Sequence, residues 1–171
     1  MSEPVGDPAP RYAAERALTR ADFPVLYEVT TRWSDNDMFG HLNNAVYYQL
    51  FDSAINGWLV GATSADPVTS PVIGVVAESR CVYFGEIGFP DQVTIGLRVA
   101  RLGRTSVSYE LGVFGGRPPG RIAAFGQWTH VYIDRVTRVP TPPPDVFRAA
   151  FVGAITDTGR LRAEPAPGEA R

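Results

Sequence analysis

One segment, Ala45 to Leu59, constrains the fold more than any other, because its helical pattern is apolar around most of its circumference. The apolar positions fall on several sides of the helix: Val46, Tyr47, Leu50, Phe51, Ala54, Ile55, Trp58 and Leu59. The polar positions form one narrow stripe at helical spacing: Gln49, Asp52, Ser53 and Asn56. Such a helix must be enclosed on several sides by other elements. The sequence therefore predicts a domain built around one buried helix, which Gly61 and the segment 63–71 are expected to end.

Strand patterns lie on both sides of this helix in the chain. β-branched and aromatic residues, for the most part in period-two alternation, predict strands over 25–32, 73–84, 93–100, 107–113 and 122–134. The links between the later strands are short, which suits antiparallel neighbours. Short helices are predicted near 12–18 and over 145–152. This order predicts an α+β fold in which a long central helix is wrapped by a curled antiparallel sheet of about five strands.

The composition favours one folded domain with a flexible segment at each terminus. The chain has 171 residues, of which 44% are hydrophobic and 20% charged, as expected for a single globular domain. Residues 1–22 are expected to form a flexible N-terminal arm, 23–155 the domain, and 156–171 a disordered C-terminal tail. Since one helix covers only part of a large sheet, we expect a homo-oligomer, either a homodimer or a homotetramer.

The charge pattern excludes several classes of protein. A net charge of -2 gives no general attraction to nucleic acid or to an anionic membrane. No apolar run is long enough to cross a bilayer, and the acidic, proline-rich start is unlike a secretory signal, so a cytoplasmic location is expected. All sixteen basic residues are arginine. A Walker-type phosphate loop and Schiff-base catalysis both need lysine and are excluded.

The few histidine and cysteine residues predict no cofactor and no metal site. Two histidines and one cysteine have no zinc-ligand spacing. Cys81 lies in an apolar run and is expected to be a buried filler rather than a nucleophile. His130 lies within a predicted strand, and we expect a structural imidazole with its hydrogen bonds satisfied.

A polar loop leads directly into the central helix. Residues 35–44 read Asp-Asn-Asp-Met-Phe-Gly-His-Leu-Asn-Asn, and either of the two final asparagines is suited to cap the helix. Taken alone, Asp37 fits three roles: a catalytic carboxylate, a loop or capping residue, or one half of a D-x-D metal ligand pair.

This loop resembles the signature of hotdog-fold acyl-CoA thioesterases, in the branch similar to 4-hydroxybenzoyl-CoA thioesterase. The match is a D-x-D-x-x-G-H-x-N-N loop followed by Val46-Tyr47 and Phe51-Asp52. It extends over 24–151 and includes the turn at 101–106. The resemblance implies a hotdog fold and an enzyme that hydrolyses an acyl- or aroyl-CoA thioester to the free acid and coenzyme A.

The resemblance also implies roles for the loop residues. Asp37 is the catalytic carboxylate, and the backbone N–H of Asn44 polarises the thioester carbonyl. The first N–H groups of a helix lack partners, and one such donor stabilises an oxyanion by about 3–4 kcal/mol in characterised hydrolases. The carboxylate either attacks the carbonyl or deprotonates water, and both routes stay open. His41 is a candidate for positioning Asp37 or the carbonyl, and Gly40 and Asn43 are expected to contact the substrate.

Two other carboxylates are given supporting roles. Asp35 is expected to fix the loop through backbone hydrogen bonds. Asp52 lies on the helix, where a different thioesterase branch carries its acidic catalyst, and a structural hydrogen bond is favoured for it here.

A second group of residues suits phosphate binding, because arginine binds phosphate through two parallel hydrogen bonds. Its members are Arg98, Arg101, Arg104, Arg117 and Arg121. Arg104 with Ser106 is the predicted contact for coenzyme A, the alternative being that these arginines only face solvent. Residues 75–78 and 60–62 are expected to line the acyl tunnel.

Two other functions remain open. The hotdog fold also hosts hydratases and dehydratases, although their usual pairing of aspartate and histidine is not evident in this sequence. A non-catalytic acyl-CoA-binding protein would keep the pocket without turnover.

Overall fold

A computed structural model of the chain describes residues 12–116 and 120–156. The helices are α1 (Ala13–Arg16), α2 (Asn44–Thr63) and α3 (Asp145–Gly153). The strands are β1 (Val25–Thr30), β2 (Val72–Tyr83), β3 (Gln92–Leu102), β4 (Ser106–Phe114) and β5 (Ile122–Asp134). Short 3-10 turns cover Arg20–Asp22 and Trp33–Asp35.

The five strands form one antiparallel sheet in the order β1-β3-β4-β5-β2. Strands β1 and β2 lie at opposite edges of this sheet, and α2 is the long element that connects them. The helix therefore crosses the face of the sheet, which curls around it. This confirms the predicted α+β architecture.

Close packing holds α2 against the sheet. The buried residues of the helix are Val46, Tyr47, Leu50, Phe51, Ala54, Ile55 and Leu59, and the predicted polar stripe is exposed. Phe51 is fully buried, with its ring 6.5 Å from that of Trp128 on β5. A side chain on Gly126 would place its Cβ 2.6 Å from the Phe51 ring. Glycine at this position is what lets the helix approach the sheet so closely.

The start of α2 agrees with the prediction, and its end does not. Asn43 caps the helix, its side-chain oxygen accepting the N–H of Ala45 at 2.9 Å. Gly61 was expected to end the helix, but α2 continues to Thr63. A glycine inside a helix costs only about 1 kcal/mol. The helix ends instead at Ser64, which has a left-handed backbone (φ 53°) and whose N–H binds the carbonyl of Val60.

The cap supplies a stability prediction. Asn43→Ala removes the acceptor for the Ala45 N–H and is expected to lower the free energy of unfolding by about 1 kcal/mol, measured by urea denaturation. Gln49→Ala, at an exposed position in the interior of the same helix, is the matched control and is expected to change stability by less than about 0.5 kcal/mol. Equal effects of the two substitutions would show that the cap does not stabilise α2.

The segment before β1 packs on the outer face of the sheet. The predicted short helix is present as α1, and Phe23 is buried in a second apolar cluster with Phe114, Ile122 and Phe125. The proposed domain limits stay a prediction, since 1–11 and 157–171 lie outside the described residues. Within the described ranges, no helix is both long enough and apolar enough to cross a membrane.

Candidate active site

Backbone hydrogen bonds close the polar loop into a tight turn. Asn36 and Leu42 form an antiparallel bridge, and inside it the N–H of Asp37 donates to the carbonyl of His41 at 2.8 Å. The N–H of Gly40 donates to the carbonyl of Asp37 at 3.2 Å. Gly40 has φ +85°, a conformation that side chains disfavour. The glycine of the motif is therefore needed for the shape of the turn.

Asp35 anchors the loop to Arg32, which follows β1, and to Asn43, which caps α2. Its carbonyl accepts the N–H of Asn43 at 2.9 Å, and its buried carboxylate accepts the backbone N–H of Arg32 at 2.8 Å and Nε at 3.0 Å. Burial acts to raise the pKa of Asp35, but these hydrogen bonds and the guanidinium charge outweigh it and lower the pKa. The structural role predicted for Asp35 is confirmed.

The link between β2 and β3 holds the other side of the loop. The N–H of Leu42 donates to the carbonyl of Ile87 at 2.7 Å. The N–H of Phe89 donates to Oδ1 of Asn36 at 3.0 Å. The loop is thus fixed at both ends before any ligand binds, which favours a preorganised site.

Within this turn, one oxygen of the half-buried Asp37 carboxylate is held and the other is available. Oδ1 accepts the backbone N–H groups of Phe39 at 2.8 Å and His41 at 3.3 Å. Oδ2 forms no hydrogen bond within the part of the chain that the structure describes. The side chain is therefore oriented by the backbone while keeping an oxygen for a reacting group.

The first turn of α2 leaves one donor available. The N–H of Ala45 binds the side chain of Asn43, and the N–H of Val46 binds its carbonyl at 2.9 Å. The N–H of Asn44 has no partner among residues 12–116 and 120–156. It also carries the partial positive charge of the helix N-terminus. Among the N–H groups of the first turn of α2, it is the one that can donate a hydrogen bond to the oxygen of an acyl group.

The imidazole of His41 contacts Glu86, a residue outside the loop motif of residues 35–44. Its Nε2 lies 3.3 Å from Oε2 of Glu86, and both side chains are exposed. The contact of His41 with Asp37 is through its backbone. Tyr83, at the end of β2, donates from its hydroxyl to the carbonyl of Asn44 at 3.5 Å. Both Glu86 and Tyr83 are distant in sequence from the loop, and no local pattern pointed to them.

The two residues predicted to contact coenzyme A, Arg104 and Ser106, lie far from the loop that carries Asp37. Arg104 and Ser106 are in and beside the turn after β3, whereas the loop that carries Asp37 is bonded to the segment before β3. Strand β3 has 11 residues. At about 3.3 Å per residue it separates the two regions by roughly 35 Å. One chain therefore brings Asp37, Gly40, His41, Asn43 and Asn44 together, but not Arg104 and Ser106.

The phosphate-binding prediction is wrong for Arg98. Its side chain is buried, and Nε and Nη2 donate to Oε2 of Glu110 at 2.8 and 2.6 Å. A buried guanidinium held by a carboxylate is not available to a phosphate. Arg101, Arg104 and Arg121 are exposed, and Arg117 lies outside the described residues.

The structural hydrogen bond predicted for Asp52 is present, and Cys81, which was expected to be buried, is only half-buried. Cys81 is half-buried, and burial raises the pKa of its thiol to about 11, so the thiol is protonated at neutral pH. Asp52 is exposed and accepts a hydrogen bond from Nδ2 of Asn56 at 3.0 Å. Within the described ranges, no three His, Cys, Asp or Glu side chains are grouped to hold a metal ion.

A cavity of ≈ 210 Å³ lies beside the C-terminal half of α2. Of the residues predicted to line the acyl tunnel, Val60 lines this cavity, whereas the lining part of β2 is Val72 to Gly74 rather than 75–78. Which residues line the acyl tunnel stays a prediction. His130 also lines this cavity, and the prediction that its hydrogen bonds are satisfied is wrong for one nitrogen. Nε2 accepts the indole N–H of Trp128 at 2.8 Å, whereas buried Nδ1 has no partner within the described residues. Burial lowers the pKa of His130 to about 4 despite the nearby Asp52 carboxylate, so the imidazole is neutral at pH 7.

Comparisons of the sequence and of the fold with known proteins both find thioesterases. A family model described as the thioesterase-like superfamily matches residues 31–151. The solved structure of the PA5185 protein from Pseudomonas aeruginosa is 37% identical, covers 81% of this chain and 96% of its own, and has a TM-score of 0.78. A Thermus thermophilus thioesterase complexed with coenzyme A and Zn is 29% identical over 75% of this chain and 98% of its own, with a TM-score of 0.64.

A more distant structure shares the fold alone. The 1,4-dihydroxy-2-naphthoyl-CoA thioesterase of Synechocystis is 15% identical over 74% of this chain and 94% of its own, with a TM-score of 0.67. No match was found among curated proteins.

Proposed function

The chain belongs to the thioesterase-like superfamily, and from that premise we propose that it hydrolyses an acyl- or aroyl-CoA thioester to the free acid and coenzyme A. The match confirms the family that the loop motif indicated and the predicted enzyme class, a thioester hydrolase. The substrate group is proposed from the names of the relatives, one of which holds coenzyme A.

The observation that carries the proposal is the pairing of two unused groups in one fixed loop. Oδ2 of Asp37 and the N–H of Asn44 have no hydrogen-bond partners among the described residues, while the groups around them do. A carboxylate oxygen and an oxyanion donor are what hydrolysis of a thioester requires.

In the proposed mechanism, the thioester carbonyl oxygen accepts a hydrogen bond from the N–H of Asn44. As the carbonyl carbon is attacked, this oxygen becomes negative and the hydrogen bond strengthens. Asp37 acts either as the nucleophile, giving a mixed anhydride that water then cleaves, or as the base that deprotonates the attacking water. Either route expels the thiolate of coenzyme A. Gly40 and Asn43 shape the turn, and His41 positions Asp37 through its backbone.

The proposal includes an oligomer, because Arg104 and Ser106 are too far from Asp37 to serve the site of their own chain. We propose a homodimer or homotetramer in which these residues contact the coenzyme A bound to a partner. The outer edges of β1 and β2, which have no strand partner among the described residues, and the exposed side chains of Trp33, Met38 and Phe39 beside the loop support association. A cytoplasmic location fits a coenzyme A thioester as substrate.

A panel of acyl- and aroyl-CoA thioesters, assayed by release of free thiol, tests the function. We expect at least one substrate to be hydrolysed with kcat/KM of about 10⁴ M⁻¹s⁻¹ or more. Saturable binding of several acyl-CoA molecules without thiol release from any of them would instead identify a non-catalytic acyl-CoA-binding protein. Hydration of an enoyl-CoA without thioester cleavage would identify a hydratase.

A further inference from the structure

The cavity beside α2 is separate from the loop that carries Asp37. It begins on the helix at Asn56, about 18 Å along α2 from Asn44 at about 1.5 Å per residue. Two residues of α2 and one of α3 give it apolar walls: Leu59, Val60 and Phe147. The cavity is therefore too far from the Asn44 N–H to be part of the site around Asp37 in the same chain.

The outer wall of the cavity is held in place by an arginine. Ala65, Pro67 and Ser70 line this side, in the segment between α2 and β2. The guanidinium of Arg135 donates to the carbonyl of Ser70 at 2.8 Å and to that of Pro67 at 2.5 Å. The cavity is therefore formed before a ligand arrives, as is usual for small-molecule sites.

His130, which lines this cavity, has an unused hydrogen-bond donor. The indole N–H of Trp128 can only donate, so Nε2 of His130 must be the acceptor and is unprotonated. In the neutral ring the proton is then on Nδ1, which has no partner within the described residues although the side chain is only 4% exposed. A methyl group added to Gly74, which also lines the cavity, would lie 3.3 Å from this nitrogen. A buried donor of this kind costs stability until an acceptor reaches it.

Two other polar side chains of the cavity, those of Asn56 and Ser70, already have partners. Nδ2 of Asn56 donates to the carbonyl and carboxylate of Asp52 at 2.9 and 3.0 Å, and the hydroxyl of Ser70 donates to the carbonyl of Val72 at 2.6 Å. The carboxylate of Asp52 is close enough to act on His130, and it would repel an anion. A cation has no lone pair to accept the Nδ1 proton. The open position therefore suits a neutral acceptor.

We propose that this cavity binds a compact, largely apolar, neutral group that carries one oxygen acceptor, and that this oxygen accepts a hydrogen bond from Nδ1 of His130. An apolar cavity of about 150 Å³ is known to hold benzene, so ≈ 210 Å³ accommodates a ring with a carbonyl substituent. Two sources can supply such a group: the acyl part of a thioester bound to a partner chain, or a free small molecule.

A matched pair of probes tests the proposal. Acetophenone carries a carbonyl oxygen, and α-methylstyrene has a methylene group in its place. In titrations of the full-length ¹⁵N-labelled protein followed by NMR, acetophenone is expected to bind about tenfold more tightly than α-methylstyrene and to shift the His130 Nδ1 resonance. Two variants are expected to remove this preference: His130→Phe, which lacks the donor, and Gly74→Ala, which places a methyl group against it.

Equal binding of the two probes, or a preference that survives in Gly74→Ala, would overturn the proposal. Gly74→Ala keeps the imidazole, so it decides the question if His130→Phe does not fold. Inhibition of acyl-CoA hydrolysis by acetophenone distinguishes the sources. Competitive inhibition assigns the cavity to the acyl group, and binding without competition assigns it to a free ligand. Because binding of the free probes does not depend on turnover, failure of the proposed hydrolase activity leaves the binding result intact.

Discussion

Asp37→Asn is expected to lower kcat for the preferred acyl-CoA by about 10²- to 10⁴-fold, with KM changed by no more than a few-fold. Asparagine keeps the side-chain oxygen that accepts the N–H groups of Phe39 and His41, so the turn is preserved. It removes the negative oxygen that would attack the carbonyl or take a proton from water. Steady-state kinetics by thiol release measure the loss, and calorimetric titration with coenzyme A measures binding.

Asp52→Asn is the matched control for this substitution. It makes the same chemical change on an exposed carboxylate of α2, whose hydrogen bond from Asn56 an amide oxygen can still accept. We expect nearly full activity. Full activity in Asp37→Asn together with loss in Asp52→Asn would reverse the assignment and move the catalytic acid from the loop to the helix.

The loop and α2 could be predicted from the sequence because their determinants are local. The apolar periodicity of the helix, the cap at Asn43 and the glycine at position 40 all act within a few residues of the structure that they determine. The strands were also predicted, since alternation is a local signal. The end of α2 was misplaced because one glycine costs a helix only about 1 kcal/mol, which is too little to end it at Gly61.

The parts of the site that depend on distant residues could not be predicted in this way. Arg98 looks like any strand arginine until the register of β3 and β4 places Glu110 opposite it. The missing partner of His130 depends on where Gly74 and α2 lie around it, and the separation of Arg104 from Asp37 depends on the direction of β3. The contact between His41 and Glu86 joins two segments that are far apart in the sequence. Pairing across the sheet is not encoded by any short pattern.

The pair of Arg98 and Glu110 leads to the largest expected effect on stability. Both side chains are buried under the segment before β1, where the guanidinium also donates to the carbonyl of Asp22 and lies 5.2 Å over the ring of Phe23. Arg98→Met leaves the Glu110 carboxylate buried without its cation. We expect the free energy of unfolding, measured by urea denaturation, to fall by about 3–5 kcal/mol.

Two further variants separate the loss of charge pairing from the loss of a side chain. Arg101→Met makes the same change at an exposed position of β3 and is expected to cost less than about 0.5 kcal/mol. In the double variant Arg98→Met/Glu110→Leu, no uncompensated charge is left in the buried site, so most of the lost stability should return. A double variant as unstable as Arg98→Met would mean that the contacts of the arginine with Phe23 and Asp22 stabilise the fold. In that case Arg98 would stabilise the fold mainly by holding the segment before β1 against the sheet, and its ion pair with Glu110 would contribute little.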